Sequence, residues 1–191
     1  MIEQIQQASS LRFRSPDLVR FLASSLRYTP EEAANGDGLD VETLCLPPGG
    51  GAILGMSTSS YWLPKLNHLG FHRVLALFEG VMLKQSAGLI TISGGELETD
   101  ARAAGQLMMR LWVELNAAGL GVHPYYVVTD QLVRRRLGKV SQELEEEVKA
   151  LDEGVVEAVG GALHMVLRVG YPKNDVCRSQ RLPLGQVVEE L

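Results

Sequence analysis

Apolar side chains recur along this chain at two spacings, and the spacings divide most of it into helices and strands. Ala104, Leu107, Met108, Leu111, Leu115 and Ala118 follow one another at helical intervals, so they fall on one face of a long helix. Thr99 or Asp100 is placed to cap its start and Gly119 to stop it. Leu163, Met165, Leu167 and Val169 alternate with His164, Val166 and Arg168, the period of a strand, and Gly170-Tyr171-Pro172 ends it. Ala87 to Ser93, apolar and β-branched, predicts a buried strand closed by Gly94-Gly95. Val122 to Val128 reads as strand or extended chain, broken at His123-Pro124.

The remaining elements rest on punctuation. Ser15-Pro16-Asp17 before Leu18, Val19, Phe21, Leu22 and Leu26 predicts a helix to about Tyr28. Thr29-Pro30-Glu31-Glu32 opens another, with a capping threonine, proline in the first turn and acids that suit the helix dipole. Asn35-Gly36-Asp37-Gly38 ends it. Val41 to Leu46 fits a short strand, broken by Pro47-Pro48-Gly49-Gly50-Gly51. Two helices are expected over Thr58–Leu69 and Phe71–Gln85, parted by Gly70, an acidic one over 141–158, and a short one running to Leu191. Few strands separated by helices predict a sheet covered by helices.

Composition narrows the class. The chain has 191 residues, 46% hydrophobic and 21% charged, which suits one domain over 1–191 with a core of its own. A formal net charge of -5 argues against wholesale nucleic-acid binding. The two cysteines, Cys45 and Cys177, are far apart and outside any CxxC, which disfavours a zinc site or a secreted disulfide scaffold. MIEQIQQASS lacks a signal-peptide pattern, and no apolar run reaches the ~20 residues of a membrane helix, so a soluble, cytoplasmic protein is expected. No GxSxG, GxxxxGK[ST] or HExxH motif occurs, and Gly49-Gly50-Gly51 lacks the context of a dinucleotide fingerprint.

Three ordered blocks resemble a known family. Ala104-Gly105-Gln106-Leu107-Met108-Met109-Arg110-Leu111-Trp112 runs into Ala118-Gly119-Leu120-Gly121-Val122-His123-Pro124. Leu163 through Pro172 follows, then Arg178-Ser179-Gln180-Arg181-Leu182-Pro183-Leu184. The order is similar to the central helix, Gly-Leu-Gly turn, late strand and basic closing segment of nitroreductase-family proteins, over roughly residues 87–187. Arg12-Phe13-Arg14-Ser15-Pro16 is a partial echo of that family's Arg-x-Ser-x-Arg phosphate motif. Asn35-Gly36-Asp37-Gly38 stands where its Asn and aromatic residues near the flavin would be. The amino-terminal block looks more like the second half of longer, duplicated nitroreductase-like chains.

The resemblance implies an α+β sandwich with a central, mostly antiparallel sheet covered by helices. It also implies FMN as cofactor, NAD(P)H as hydride donor, an electron-poor acceptor of nitroaromatic or quinone type, and a homodimer with FMN at its interface. Arginines suit a phosphate dianion, so Arg12, Arg14, Arg178 and Arg181, with Ser15, are the phosphate candidates; the alternative is that they are solvated surface arginines. His123, Pro124 and Tyr125, beside Gly119 and Gly121, are the ring-contacting candidates, against a reading in which Gly119 only ends a helix and the tyrosines pack in the core. Flavin chemistry needs no catalytic triad, and none is assigned. His123 and His164 are proton-donor candidates because histidine as a residue type titrates near neutrality, although a lone strand histidine is more often structural. His68 and His72 lie four apart, but Gly70 intervenes and no third ligand is evident, so no metal is expected. Arg134-Arg135-Arg136 reads as a solvated face or as partners for Asp130 and the acids at 143–147. Trp112 lies off the main stripe of its helix and faces either a partner subunit or the core. The rival function is a flavin-poor nitroreductase-like binding or structural domain, or one that forms its flavin site only with a partner chain.

Overall fold

The computed structural model describes residues 1–95, 97–172, 182 and 184–188. It is a helix-rich structure of mixed helices and strands with two small sheets. Arg178 and Arg181 lie outside the described residues.

The chain opens with helix α1 (Ile2–Arg14), which the sequence pattern does not announce. Gln4, Gln6, Gln7, Ser9 and Ser10 dilute its apolar period, yet Ile5, Ala8 and Leu11 are fully or almost fully buried. Ser15, in extended conformation, separates it from α2 (Pro16–Ser25). That helix stops short of Tyr28, because Leu26–Arg27 forms a short strand, β1. After α3 (Pro30–Ala33), whose Glu32 N–H donates to Thr29 Oγ1 at 3.2 Å, strand β2 (Leu39–Asp40) pairs with β1 in parallel.

The strand expected over Val41–Leu46 is instead a 3-10 turn, Val41–Leu44, ended by Cys45 in the left-handed region. The Thr43 hydroxyl donates to the Asp40 carbonyl at 2.7 Å, a local bond that competes with extended chain. The glycine run likewise opens a helix: Gly49, at φ 82°, leads into α4 (Gly50–Thr58). The helix expected from Thr58 therefore begins later, as α5 (Trp62–Asn67). Gly70, also at φ 82°, parts it from α6 (Phe71–Lys84) as expected.

Strand β3 (Gly88–Gly94), helix α7 (Leu97–Ala117) and strand β4 (Gly121–Tyr125) follow. The chain then departs from expectation again: Val127 and Val128 belong not to a strand but to α8 (Val127–Arg136). Their β-branched side chains favour a strand, yet both are buried in the helical layer, and that burial outweighs local propensity. Helix α9 (Glu145–Val159) ends at Gly160 in the left-handed region, and β5 (Ala162–Gly170) completes the main sheet. A last helical turn, α10 (Leu184–Val187), lies near the carboxyl end.

The main sheet has the order β3-β5-β4 and is antiparallel throughout. Pro124, which cannot donate to a ladder, sits on the edge strand β4. Met165, Leu167 and Val169 of β5 point to the face covered by α7, where Ile90, Ile92, Val122, Met108, Leu111 and Leu115 join them. Leu107, expected on the same stripe, is exposed instead. Val166 points to the other face, into a larger core with Ile5, Leu11, Leu83, Val128, Leu132, Val148, Leu151 and Val155 from α1, α6, α8 and α9. A bulge between Ile92 and Ser93 shifts the register, so Leu163 joins this second core as well. The sheet is thus the middle of three layers.

Candidate functional site

A cleft of about 750 Å³ opens at one end of this sheet. Its floor comes from the facing ends of β4 and β5, its wall from Met82, Gln85 and Ser86 at the end of α6, and its rim from Tyr171 and Pro172. The strand register determines what the floor presents. Gly121 lies opposite Gly170, and His123 opposite Arg168. Strand alternation puts all four on the face turned toward α6. Two facing glycines leave the outer part of that floor bare backbone, and the next row carries an imidazole and a guanidinium. A β-carbon built at Gly121 would meet nothing nearer than the Gly170 carbonyl at 3.5 Å, an ordinary van der Waals contact.

Behind this row lies a polar cluster. The His123 and Tyr125 rings stand 4.8 Å apart, tilted by 50°. Arg168, Arg12 and Glu79 all lie close enough to the Tyr125 phenol to act on it electrostatically. Arg12 and Glu79 face each other at 3.8 Å, and the Arg12 guanidinium lies 4.8 Å from the centre of the Phe13 ring. Burial raises the Tyr125 pKa, and the Glu79 carboxylate raises it further against the opposing effect of Arg168 and Arg12. His123 is shifted the other way. Although its ring opens to the cleft, loss of solvent and then the neighbouring Arg168 lower its pKa, which favours a neutral imidazole.

The sequence candidates therefore separate. His123 lines the cleft, Tyr125 packs behind it, and Arg12 reaches the cluster around Tyr125. Pro124 falls on the opposite face of the sheet, paired across the strand with Leu167. Arg14 turns away to α9, where its Nη1 donates to both carboxylate oxygens of Glu147 at 2.7 Å. The Ser15 hydroxyl donates to the Leu11 carbonyl at 2.9 Å. Arg14 also lines a smaller cavity of about 230 Å³ with Phe13, Val19, Leu63 and Asn67.

Other marked residues serve the fold. His72 Nδ1 is hydrogen-bonded to Ser10 Oγ at 2.8 Å, and among the described residues no three His, Cys, Asp or Glu side chains gather to hold a metal. In the arginine run, Arg135 binds Glu145 at 2.9 Å and Asp152 at 3.2 Å, while Arg134 binds Asp17. His164 is buried, its backbone carbonyl accepting from Thr129 Oγ1 at 3.2 Å. Trp112 is half-buried on α7.

Arg168 is the site residue that sequence reasoning missed. The signal was present: a lone arginine on the polar phase of a strand whose other phase is all apolar. Long charged side chains seldom occupy such a position without a partner or a task.

Comparison with protein-family models, with curated proteins and with solved structures finds no match to this chain.

Proposed function

We propose that the chain is an FMN-dependent oxidoreductase domain of the nitroreductase type, acting as a homodimer. It would pass hydride from NAD(P)H to an electron-poor acceptor such as a nitroaromatic or quinone. The observation that carries this reading is the cleft over Gly121 and Gly170, which joins a bare backbone floor to the imidazole of His123 at the end of the sheet.

The described residues fit the ring portion of a flavin. Glycine backbone accepts close approach of a planar group, Met82 supplies apolar contact, and Gln85, Ser86 and His123 offer hydrogen bonds to the polar edge. The volume lies in the range of small-molecule sites, about 300–1,000 Å³. Bound FMN supplies the redox chemistry, so a protein with this activity needs no nucleophile or acid pair of its own. Its residues would bind and orient the ring, and His123 would hold a hydrogen bond at the ring edge. By resemblance, Arg178 and Arg181 would serve the phosphate, a short stretch of chain beyond the rim at Pro172.

The homodimer is supported by the outer face of α6. Val74, Leu77, Phe78 and Val81 form an exposed stripe at helical spacing, continuous with Met82 in the cleft wall. A second copy seated on this stripe would border the cleft and exclude water from it. The same stripe supports the rival in which a different chain completes the site.

The test is the visible absorption of the purified full chain after incubation with excess FMN and gel filtration. A retained flavin band, bleached by NADH or NADPH without oxygen, is expected. A folded protein that remains colourless overturns the reading.

A further inference from the structure

The cleft carries one cation and no acid on its described lining, and this determines the occupant it can take. Gln85, Ser86 and His123 are neutral donors or acceptors, and no Asp or Glu stands among the lining residues. Among the described residues, no carboxylate forms an ion pair with Arg168. The cluster behind the floor does not cancel the charge either. Around the Tyr125 phenol stand two guanidiniums, Arg12 and Arg168, and one carboxylate, Glu79. Glu79 faces Arg12 at 3.8 Å, which leaves the Arg168 charge as the excess.

Arg168 is also held in place. It sits half-buried on the central strand, between His123 on β4 and Leu89 on β3, with the Tyr125 phenol nearby. A guanidinium fixed in this way keeps other donors for a ligand and loses less freedom on binding one.

We propose that Arg168 is the anion-recognising residue of this cleft, with Tyr125 as its positioning residue, and that the cleft takes a ligand bearing a carboxylate or phosphate group beside His123, in the row next to the two glycines. This rests on the reading of the cleft as a ligand site, not on the identity of the flavin. The shared chemistry is an anionic group of two or three oxygens that a planar guanidinium can grip at two points.

The test is a titration of the 15N-labelled full chain with sodium phosphate and, separately, with sodium succinate, against sodium chloride at equal ionic strength. Saturable shifts of the Gly121 and Gly170 amides with phosphate or succinate, but not with chloride, are expected. Whichever anion binds tighter identifies the source of the group. Arg168→Gln should weaken binding about tenfold, the effect of losing a charge-assisted hydrogen bond, and Arg168→Lys should weaken it less. Tyr125→Phe, with a native-like spectrum, should also weaken it but add little in the presence of Arg168→Gln, because the two act on one contact. No saturable shift in the wild type, or equal affinity in Arg168→Gln, overturns the proposal. So does Tyr125→Phe weakening binding equally with and without Arg168, for the positioning role. If phosphate binds through Arg168 while FMN is not retained, the flavin reading fails and this one stands. If FMN is retained but Arg168→Gln leaves anion binding unchanged, the reverse holds.

Discussion

His123 shows how one residue ties site chemistry to stability. The protein packed around its ring, and then Arg168, hold its pKa below the ordinary histidine value of 6.5 although the ring edge opens to the cleft. The unfolded chain therefore takes up this proton before the folded one as pH falls. The resulting stability is present in full above 6.5 and is lost as pH drops toward the folded value. His72 shifts in the same direction, through burial, Arg14 and Arg73, with Glu147 opposing. Urea unfolding of the wild type should therefore show lower stability at pH 5.5 than at pH 7.5. His123→Gln, which cannot take up the proton, should lose less over the same interval. An equal or larger loss in His123→Gln would remove His123 as a source of the slope. A neutral His123 beside a charged Arg168 is also the arrangement a ligand site can use, since the imidazole remains free both to accept and to donate.

Helix α6 shows the same division of labour in one element. Ala76, Gly80 and Leu83 are buried against α1, and small residues there let the two helices approach closely. A β-carbon built at Gly80 would fall 2.1 Å from the Gln6 amide nitrogen. The opposite face carries Phe78 and Leu77, 60% and 61% exposed, and no described residue covers them. Both faces are apolar in sequence, so periodicity predicts the helix but does not tell the inner face from the outer. The close approach of α1 decides that, and α1 is itself hidden in a run of glutamines and serines. If a second copy covers the outer face, Phe78→Glu should convert a dimer into a monomer by light scattering while leaving the urea midpoint of the separated subunit little changed. A wild type that is monomeric at the same concentrations would contradict the dimer.

At the scale of the molecule, what was legible followed from strong local signals. The alternation in β5 and the capped α3 appear where the pattern puts them, since local preference and tertiary packing agree there; β3 and α7 also form, but β3 buries only Ile92 fully and Leu107 leaves the α7 stripe. The departures occur where they conflict: Val127-Val128 reads as a strand but packs as a helix, and Gly49–Gly51 reads as a break but starts one. The site was half legible. His123 and Tyr125 stand out in sequence, while Arg12 reaches them only because α1 folds against α6. Arg168 was hidden because its importance lies in the register of β5 against β4, which no linear pattern contains. Arg14, two residues on, points elsewhere because helix geometry turns successive side chains about 100° apart, and Ser15 lies past the end of the helix in extended conformation.

The proposed FMN would lie on the bare floor formed by Gly121 and Gly170. The most direct measurement is FMN retention by the wild type and by Gly121→Leu, each verified as folded by circular dichroism and gel filtration. A β-carbon at Gly121 stands in ordinary contact with the Gly170 carbonyl at 3.5 Å, so the added side chain starts from the floor itself. Flavin should be bound by the wild type and lost, by about tenfold or more in affinity, in the variant. Equal retention by both, or by neither, would contradict it.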